Sequence, residues 1–551
     1  MDKRIIFAFV LAAGVLLITP YIFPPAPAPV LPAGGDSTAN SSAPSAALPS
    51  AATANAPPLG PPPVSSTAVP TAAFAAETAS VATPRATFRF SNAGGALIGV
   101  ELGDYMVLPA RNRKVALNRR GAALVSYRVF AGADTVDLAT VRLHADTSRL
   151  GSARVLRYDG ALAIAKIDLQ YAFVADSYLV RVTGTLNSVG AAPARLAIMM
   201  PVGLASSEAD SLDDQHHLAF VVKPATDGAE SVPFAKVEKN RLIAKAGPFN
   251  WVASKSKYFL LAVLAPSRGQ LSGPAFFTAP AATSKVPSVA TGEVIVTPDS
   301  EGRFTFDIYA GPQQWQRLVA LGHELEHANP YGGFMQTVVQ PFATPIMRLL
   351  LWMHDTFRLN YGWVLVIFGV AVRIILWPLN QSAMRSSLRM QRIQPQLTAL
   401  QQRYKANPEK MHAEYMKLLQ SHGMTPFSQF SGCLPLLIPM PVLFALFFVF
   451  QNTIEFRGVS FLWLPDISQK DPYFILPIVM GISMLALSWV GLRNSPPNPQ
   501  AKMMGYLMPV FMVVLFVSFP AGLNLYYAVQ NVAALPQQWL IAKERAKNAA
   551  G

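Results

Sequence analysis

One apolar stretch that carries a single charge constrains this chain more than any other feature. Residues 361–379 read YGWVLVIFGVAVRIILWPL, which is long enough to cross a bilayer as a helix. The run contains Arg373, and insertion scales put an arginine at the centre of a membrane helix at roughly 2.5 to 3.5 kcal/mol. The surroundings of Arg373 must therefore be wet or must supply polar partners.

The composition favours a membrane protein. The 551 residues are 52% hydrophobic and 14% charged, whereas soluble domains are about 25% charged. The net charge of +14 is carried by basic residues that flank apolar runs, which is typical of the positive-inside pattern and favours nucleic-acid binding less. The single cysteine, Cys433, lies in an apolar run, so no disulfide within one chain holds an exported domain together.

The first residues predict a membrane anchor followed by a tether. In residues 1–23, Lys3 and Arg4 precede a long uncharged run, which favours an uncleaved transmembrane anchor over a cleaved signal peptide and places the N-terminus in the cytoplasm. Residues 24–84 are rich in proline, alanine and serine and nearly uncharged. Such a segment buries too little apolar surface to offset its ordering entropy, so we expect a disordered tether.

Residues 85–325 are predicted to form a large antiparallel β-sandwich outside the cytoplasm, because their apolar residues recur with a period of two. Ile167, Leu169 and Tyr171 alternate with polar residues. Its function is not legible from the sequence, and a binding or docking module is the favoured interpretation. Further strands are expected at 86–90, 96–102, 123–130, 178–186, 195–203, 258–265, 293–298 and 303–308.

The string HELEH at 323–327 matches a zinc-binding motif in which His323 and His327 lie one helical turn apart and Glu324 acts on bound water. It raises the alternative of a membrane-tethered zinc metalloprotease. Asn329 and Pro330 end any helix directly after the motif, and no third ligand can be assigned. We therefore expect no metal and favour a polar helix end that joins the β domain to the membrane.

Residues 333–358 have apolar side chains at three-to-four spacing, interrupted by Arg348 and Asp355. This pattern predicts an amphipathic helix that lies along the outer membrane surface. A core helix of the β domain is the alternative.

Four further membrane spans are predicted at 432–452, 473–492, 505–518 and 522–542. None of them contains Asp, Glu, Lys or Arg, so we expect Arg373 to lack an ionic partner in the membrane and to face water, backbone or a guest. The alternative is that its side chain snorkels to the cytoplasmic surface. With the anchor and 361–379, this makes six spans with both termini inside, and 505–518 is short enough that the bilayer should thin around it.

Residues 380–428 are basic and are predicted to form an antiparallel helical hairpin in the cytoplasm. Asn407, Pro408 and Glu409 form a helix start. The basic outer faces are candidates for contact with ribosomal RNA or a targeting factor, and contact with anionic lipid is an equal alternative. The side chains concerned are Arg385, Arg389, Arg392, Arg403 and Lys405.

In the last span Asn524, Tyr527 and Asn531 follow i, i+3, i+7 spacing and form a polar stripe. Together with Arg373 they are candidates for the lining of a wet groove open to the cytoplasm, and hydrogen bonding between helices is the alternative. A basic tail, 543–551, follows.

The order of these parts and several local strings resemble the YidC membrane-protein insertase family in its long Gram-negative form. The strings are VRIILWPL with Arg373, the basic hairpin, GCLPLLIPMPVLFALFF, DPYFILPIVMGISM and FPAGLNLYY. They cover residues 333–542, while the anchor, tether and β domain agree by arrangement alone.

The resemblance implies a polytopic α-helical protein of the inner membrane with a five-helix insertase core, a periplasmic β-sandwich and a cytoplasmic hairpin. It implies a chaperone-like, non-enzymatic insertase that works without nucleotide hydrolysis, cofactor or small-molecule substrate. The implied partners are nascent membrane proteins, the Sec translocon, the ribosome and anionic lipids. An ion-coupled transporter is disfavoured because the spans contain no carboxylate.

Overall fold

The computed structural model describes most of the chain after residue 73. The described residues are 74–150, 153–174, 176–237, 242–266, 271–279, 288–329, 336–378, 380–381, 393, 396, 399–400, 402–404, 407–421, 440–493 and 499–550. Several predicted features lie outside them: the anchor 1–23, the tether up to residue 73, the beginning of the span predicted at 432–452, and the side chains of Arg385, Arg389, Arg392, Lys405 and Cys433.

The first part of the described chain is a β domain built from antiparallel strands. Period-two alternation produces them, since alternate side chains of a strand point to opposite faces. The strands are β1 (Thr78–Ala82), β2 (Ala86–Ser91), β3 (Leu97–Met106), β4 (Lys114–Ala116), β5 (Ser126–Ala131), β6 (Asp134–Asp137), β7 (His144–Leu150), β8 (Ala153–Ala161), β9 (Ala165–Phe173), β10 (Leu179–Ser188), β11 (Ala194–Met200), β12 (Ala219–Pro224), β13 (Glu230–Pro233), β14 (Ile243–Lys245), β15 (Phe249–Lys255), β16 (Phe259–Leu264), β17 (Ala275–Thr278), β18 (Thr291–Val296) and β19 (Arg303–Pro312).

These strands form three sheets around one core. The sheet orders are β1-β2-β3-β4, then β13-β12-β15-β16-β19-β10-β9-β8-β7, and β14-β17-β18-β11-β5-β6. Rings from the nine-stranded sheet pack against both smaller sheets: Phe220 stacks on Phe277 with centroids 4.7 Å apart, and Tyr171 lies 4.6 Å from Phe90. The predicted antiparallel β domain is thus confirmed.

The strand pattern holds where alternation was visible and extends beyond it. Ile167, Leu169 and Tyr171 are buried in β9, as predicted. The start of the domain was predicted too late, because β1 pairs antiparallel with β2 within the range assigned to the tether. An unpaired edge of β2 would offer free backbone N–H and C=O groups, and β1 pairs with them. This pairing needs no apolar alternation in β1, so the sequence pattern did not reveal the strand.

The helices follow mainly in the second half of the chain. The described helices are α1 (Ser211–His216), α2 (Trp315–Leu321), α3 (Gln336–Phe357), α4 (Tyr361–Ile375), α5 (Pro408–Ser421), α6 (Met440–Asn452), α7 (Ile475–Leu492), α8 (Pro499–Phe516) and α9 (Ala521–Ala550), with one-turn 3₁₀ helices at Leu138–Thr140, Phe234–Lys236, Leu325–Ala328 and Ile454–Phe456. Helix α9 packs against α4 and α7, α7 packs against α8, and α3 packs against α6.

Within the described residues, only α7 is by itself long and apolar enough to cross a membrane. Helices α3 and α4 meet that condition as a pair, and the chain direction turns by 119° at the break between them. Helices α6 and α8 contain shorter apolar helices, Val442–Asn452 and Lys502–Phe516.

Two helices in this region extend beyond the predicted segments. The helix that contains the span predicted at 505–518 runs from Pro499 to Phe516, and a proline at its first position needs no backbone donor. The basic tail predicted to follow residue 542 continues α9 to Ala550, since alanine, lysine, arginine and glutamate are strong helix formers.

Residues 389–429 of the hairpin segment belong to a different compact unit from the β domain and the other helices described above. Helix α5 begins at Pro408 as predicted, and the Asn407 side chain accepts a hydrogen bond from the Lys410 N–H at 3.1 Å. Ile393 and Leu419 are buried against each other, with Tyr415 packed beside them. Residues from both predicted arms of the hairpin therefore share a small apolar seam.

The loop between α6 and α7 is fastened to the β domain by a buried ion pair. Arg457 Nε donates to the two carboxylate oxygens of Glu208 at 2.8 and 2.9 Å, and the side chains are 5% and 3% exposed. The same guanidinium donates to the carbonyls of Met106 and Ser207 at 3.0 and 3.2 Å and lies over the Phe259 ring. The guanidinium is thus held by a carboxylate, two carbonyls and an aromatic ring of the β domain.

Further contacts complete this junction. Lys255 Nζ donates to Asn329 Oδ1 at 2.8 Å, and Asn329 Nδ2 donates to the carbonyl of Asn452, the last residue of α6, at 2.9 Å. Arg348 of α3 lies 4.6 Å from the Trp315 ring centroid. The last turn of the β domain is thereby held against both α3 and α6.

Glu455 lies in the same junction with an unusual protonation equilibrium. Its carboxylate oxygens are buried without a hydrogen-bond acceptor or donor partner among the described residues. Burial raises the pKa of Glu455 to about 7, Asp355 adds to the increase, and nearby N–H groups of Glu455 and Trp315 oppose it. Glu455 is therefore part protonated near neutral pH.

We expect Arg457→Met to lower the free energy of unfolding by about 3 to 5 kcal/mol, since it leaves the buried Glu208 carboxylate unpaired. Combining it with Glu208→Gln should restore a large part of that loss. Denaturant unfolding of the purified full chain in detergent measures both. The control Arg303→Met removes two exposed ion pairs, with Asp299 and Glu301, and should change stability by less than about 1 kcal/mol. Equal losses in the single and double variants would contradict a buried pair.

Glu455→Gln should change how stability depends on pH. Because the folded state holds the Glu455 proton more tightly than the unfolded state, this group stabilises the fold below about pH 4.5 and loses that contribution as pH rises towards 7. The variant should melt at a higher temperature than the native chain at pH 8 and at a similar temperature at pH 4.5. Thermal unfolding across pH tests this, with the exposed Glu101→Gln as the control. A constant difference at all pH values would refute the shift.

Candidate functional site

The candidate site is centred on Arg373, in the last turn of α4. The helix C-terminus is a favourable place for a cation, because carbonyls without intrahelical partners concentrate negative partial charge there. The guanidinium is half-buried, and one terminal nitrogen donates to Gln537 Oε1 of α9 at 2.8 Å. A neutral amide, and not a carboxylate, thus receives this hydrogen bond.

Gln537 is fixed on its other side. Its side chain is 1% exposed, and Nε2 donates to the Trp377 carbonyl at 3.1 Å and to Gln381 Oε1 at 3.4 Å. The amide orientation is forced, since a guanidinium only donates and a carbonyl only accepts. Gln537 therefore bridges Arg373 and the chain just beyond α4.

The guanidinium has spare hydrogen-bonding capacity. Arg373 Nε is buried and finds no acceptor within the described part of the chain. No carboxylate among the described residues forms an ion pair with Arg373. An unmatched buried N–H costs about 1 to 3 kcal/mol, so Nε adds to the cost of placing this side chain at the end of α4.

The polar stripe predicted on the last span faces other helices. Asn524 is fully buried and donates to the Phe516 carbonyl of α8 at 3.1 Å, and Asn531 donates to Ser483 Oγ of α7 at 3.1 Å. The Tyr527 ring lies edge-on to Phe516 at 5.3 Å. The described contacts of these three residues are between helices, which is the alternative that the sequence left open, and none of them is with Arg373.

The face of α9 that meets α4 carries a different polar set. Gln530 Nε2 donates to the Tyr526 hydroxyl at 2.8 Å, and the Tyr526 ring lies 5.8 Å from Phe368 of α4. Tyr526, Gln530 and Gln537 share one side of the helix, roughly 110° around from the predicted stripe. Gln530 and Gln537 were visible in the sequence as polar residues in an apolar run, but the sequence did not indicate which face of α9 meets Arg373.

The hairpin and the HELEH string were the other predicted sites. Of the five basic residues assigned to the hairpin surface, Arg403 alone is among the described residues, and its guanidinium lies 5.9 Å from the Tyr404 ring centroid. The positions of the other four lie outside the described residues.

The HELEH residues do not form the helix that a zinc motif needs. Helix α2 ends at Leu321, and His323 and Glu324 both have φ near +58° before the 3₁₀ turn at Leu325–Ala328. The Glu324 carboxylate pairs with buried Lys223 at 3.2 Å, and the His323 carbonyl accepts from Trp251 Nε1 at 3.0 Å. The motif residues therefore pack against the β domain through Lys223 and Trp251. The described residues contain no cluster that could hold a metal.

Comparison with known proteins agrees with this arrangement of parts. The model of the 60Kd inner membrane protein family matches residues 352–548, and that of the YidC periplasmic domain matches residues 78–347. The membrane protein insertase YidC of Burkholderia ambifaria is 32% identical over 390 residues, which are 69% of this chain and 67% of that protein. The insertase YidC of Paraburkholderia phymatum is 32% identical over 395 residues, covering 70% and 68%.

Among solved structures, the crystal structure of an active YidC insertase with its first transmembrane domain resolved is 18% identical, covers 85% of this chain and 94% of its own, and has a TM-score of 0.36. The family models and the sequence relatives are decisive. This chain belongs to the YidC family of inner-membrane membrane protein insertases.

Proposed function

We propose that this insertase shelters the polar tail of a nascent membrane protein at Arg373 while the apolar segment of the guest moves sideways into lipid. The observation that carries the proposal is the guanidinium with a buried Nε lacking an acceptor and a neutral glutamine as its described partner. Such a group attracts carboxylates and carbonyl oxygens of a guest without being neutralised beforehand.

The energetics need no nucleotide. A guest span of about 20 residues gains roughly 25 cal/mol for each Å² of apolar surface that leaves water, which sums to tens of kcal/mol. The obstacle is the transfer of its short polar tail, whose backbone and charged groups find no partners in hydrocarbon. A cationic, hydrated groove lowers that barrier, so we propose a chaperone-like insertase and not an enzyme.

The proposed topology has six spans, both termini in the cytoplasm, the β domain in the periplasm and the hairpin in the cytoplasm. The basic flanks of the apolar runs support this orientation. The apolar part of α8, 503–516, is about 21 Å long, whereas the hydrocarbon layer is ~30 Å thick. A bilayer thinned beside α8 shortens the distance over which a polar tail must travel.

Helix α3 is proposed to lie along the periplasmic surface of the membrane. Phe342, Leu349, Trp352 and Phe357 are exposed, and Arg348, which is also exposed, lies over the Trp315 ring of the β domain. Exposed aromatic rings suit the interface between headgroups and acyl chains.

The ribosome and anionic lipids are the partners proposed for the basic hairpin. The contacts would be made by Arg385, Arg389, Arg392, Arg403 and Lys405. The Sec translocon is the partner proposed for a share of the substrates. We keep the proposal that Asn524, Tyr527 and Asn531 line the groove, where their contacts with α7 and α8 would hold α9 in place.

The zinc protease alternative is not supported by the relatives or by the geometry of residues 323–328.

The test replaces Arg373 in cells depleted of their own insertase. We expect Arg373→Ala to lower insertion of a substrate with a short acidic tail about tenfold, because it removes a charge-assisted contact of roughly 1.5 to 3 kcal/mol. Arg373→Lys should retain part of the activity. Protease protection of the tail gives the readout, at matched protein levels.

Arg348→Ala is the matched control, since it removes an arginine of α3 that contacts the β domain instead of α9. It should leave insertion within about twofold of the native chain. Undiminished insertion of the acidic tail by Arg373→Ala would refute the role of this guanidinium.

A further inference from the structure

We propose that Gln537 is a positioning residue for Arg373, which holds the guanidinium in the groove without cancelling its charge and so sets a preference for acidic substrate tails. This inference rests on the proposed function and concerns the same site. Neither the sequence pattern nor the relatives' names assign a role to Gln537.

Gln537 has the geometry of a clamp. Its amide oxygen accepts from Arg373 at 2.8 Å while its amide nitrogen donates to the Trp377 carbonyl at 3.1 Å. Both contacts are made by one side chain that is 1% exposed, so the amide cannot rotate without losing these two hydrogen bonds. The guanidinium is thereby held beside the end of α4, where the helix carbonyls favour a cation.

An amide at position 537 has a different effect on the Arg373 charge from a carboxylate or an apolar side chain. A carboxylate at this position would form a buried ion pair, and the guanidinium would then face a guest as part of a neutral unit. An apolar side chain would offer no acceptor, and the flexible arginine would turn to the cytoplasmic surface. Glutamine alone among these options fixes the position and leaves the positive charge uncompensated.

The same molecule shows the contrasting arrangement. Arg457 in the junction meets the Glu208 carboxylate through two hydrogen bonds and is fully engaged. Arg373, by comparison, keeps Nε buried without an acceptor in the described chain. Arg373 therefore keeps hydrogen-bonding capacity and a charge that no described carboxylate takes up.

The experiment compares substrates whose short tails are of equal length and are acidic, neutral or basic. The full chain is reconstituted into vesicles of inner-membrane lipid composition, and tail translocation is read by protease protection. Gln537→Glu should lower insertion of the acidic tail about tenfold while the neutral tail stays within about twofold. A merely structural defect would lower all three tails equally, and that result would overturn the proposal.

Gln538→Glu is the matched control. It introduces the same charge one residue later, on the side of α9 where the Gln538 amide approaches Gly491 of α7. It should leave the ratio of acidic to neutral insertion unchanged. The same loss of that ratio in Gln538→Glu as in Gln537→Glu would overturn a specific role for Gln537.

A second variant decides the case in which Gln537→Glu fails to fold. Gln537→Met keeps the length of the side chain and removes both hydrogen bonds, so it should lower the acidic-to-neutral ratio about threefold in the native background and not at all with Arg373→Ala. An unchanged ratio, or equal effects in both backgrounds, would overturn the clamp. Normal acidic-tail insertion by Arg373→Ala would instead refute the proposed function itself.

Discussion

The cost of keeping an ionised guanidinium inside an apolar helix bundle is the constraint on which the arrangement of α4 and α9 depends. Arg373 is tolerated because it lies at the carbonyl end of α4 and because Gln537 accepts one of its hydrogen bonds. Since Gln537 also binds the Trp377 carbonyl, the helix end and the charge are secured by one side chain. The packing of α9 on α4 is thus inseparable from the position of the charge.

Two arginines in this chain have different kinds of hydrogen-bond partner: a carboxylate for Arg457 and a neutral amide for Arg373. Arg457 is enclosed by Glu208 and two carbonyls at the junction with the β domain, where a satisfied buried pair fixes one geometry. Arg373 has a neutral partner and an unmatched donor. A fully paired group gives rigidity, whereas the guanidinium of Arg373 keeps a charge that no described carboxylate compensates.

The junction also explains why the β domain and the membrane-type helices form a single unit in the described chain. The loop after α6, the end of the β domain and α3 contact one another through Arg457, Asn329 and Arg348. Gly362 at the start of α4 allows the Phe461 ring of the same loop to approach, since a Cβ there would lie 2.1 Å from it. Within this unit the proposed groove has a fixed frame on the side of the β domain.

Features that depend on neighbours along the chain could be predicted from the sequence. Period-two alternation located β9 and β19, and the Asn407 cap located the start of α5. The arginine in an apolar run made Arg373 the predicted centre of the candidate site. Strand β15 was not predicted because both of its faces are buried, which removes the alternation.

The tertiary structure alone decided which distant groups meet. The Arg457–Glu208 pair joins residues 249 positions apart, and Arg373 and Gln537 are 164 positions apart. Periodicity shows that a helix has a polar stripe, but the rotation of that helix against its neighbours is fixed by packing over its whole length. For that reason the sequence selected Asn524, Tyr527 and Asn531 on α9, while the fold brought Gln537 to the guanidinium.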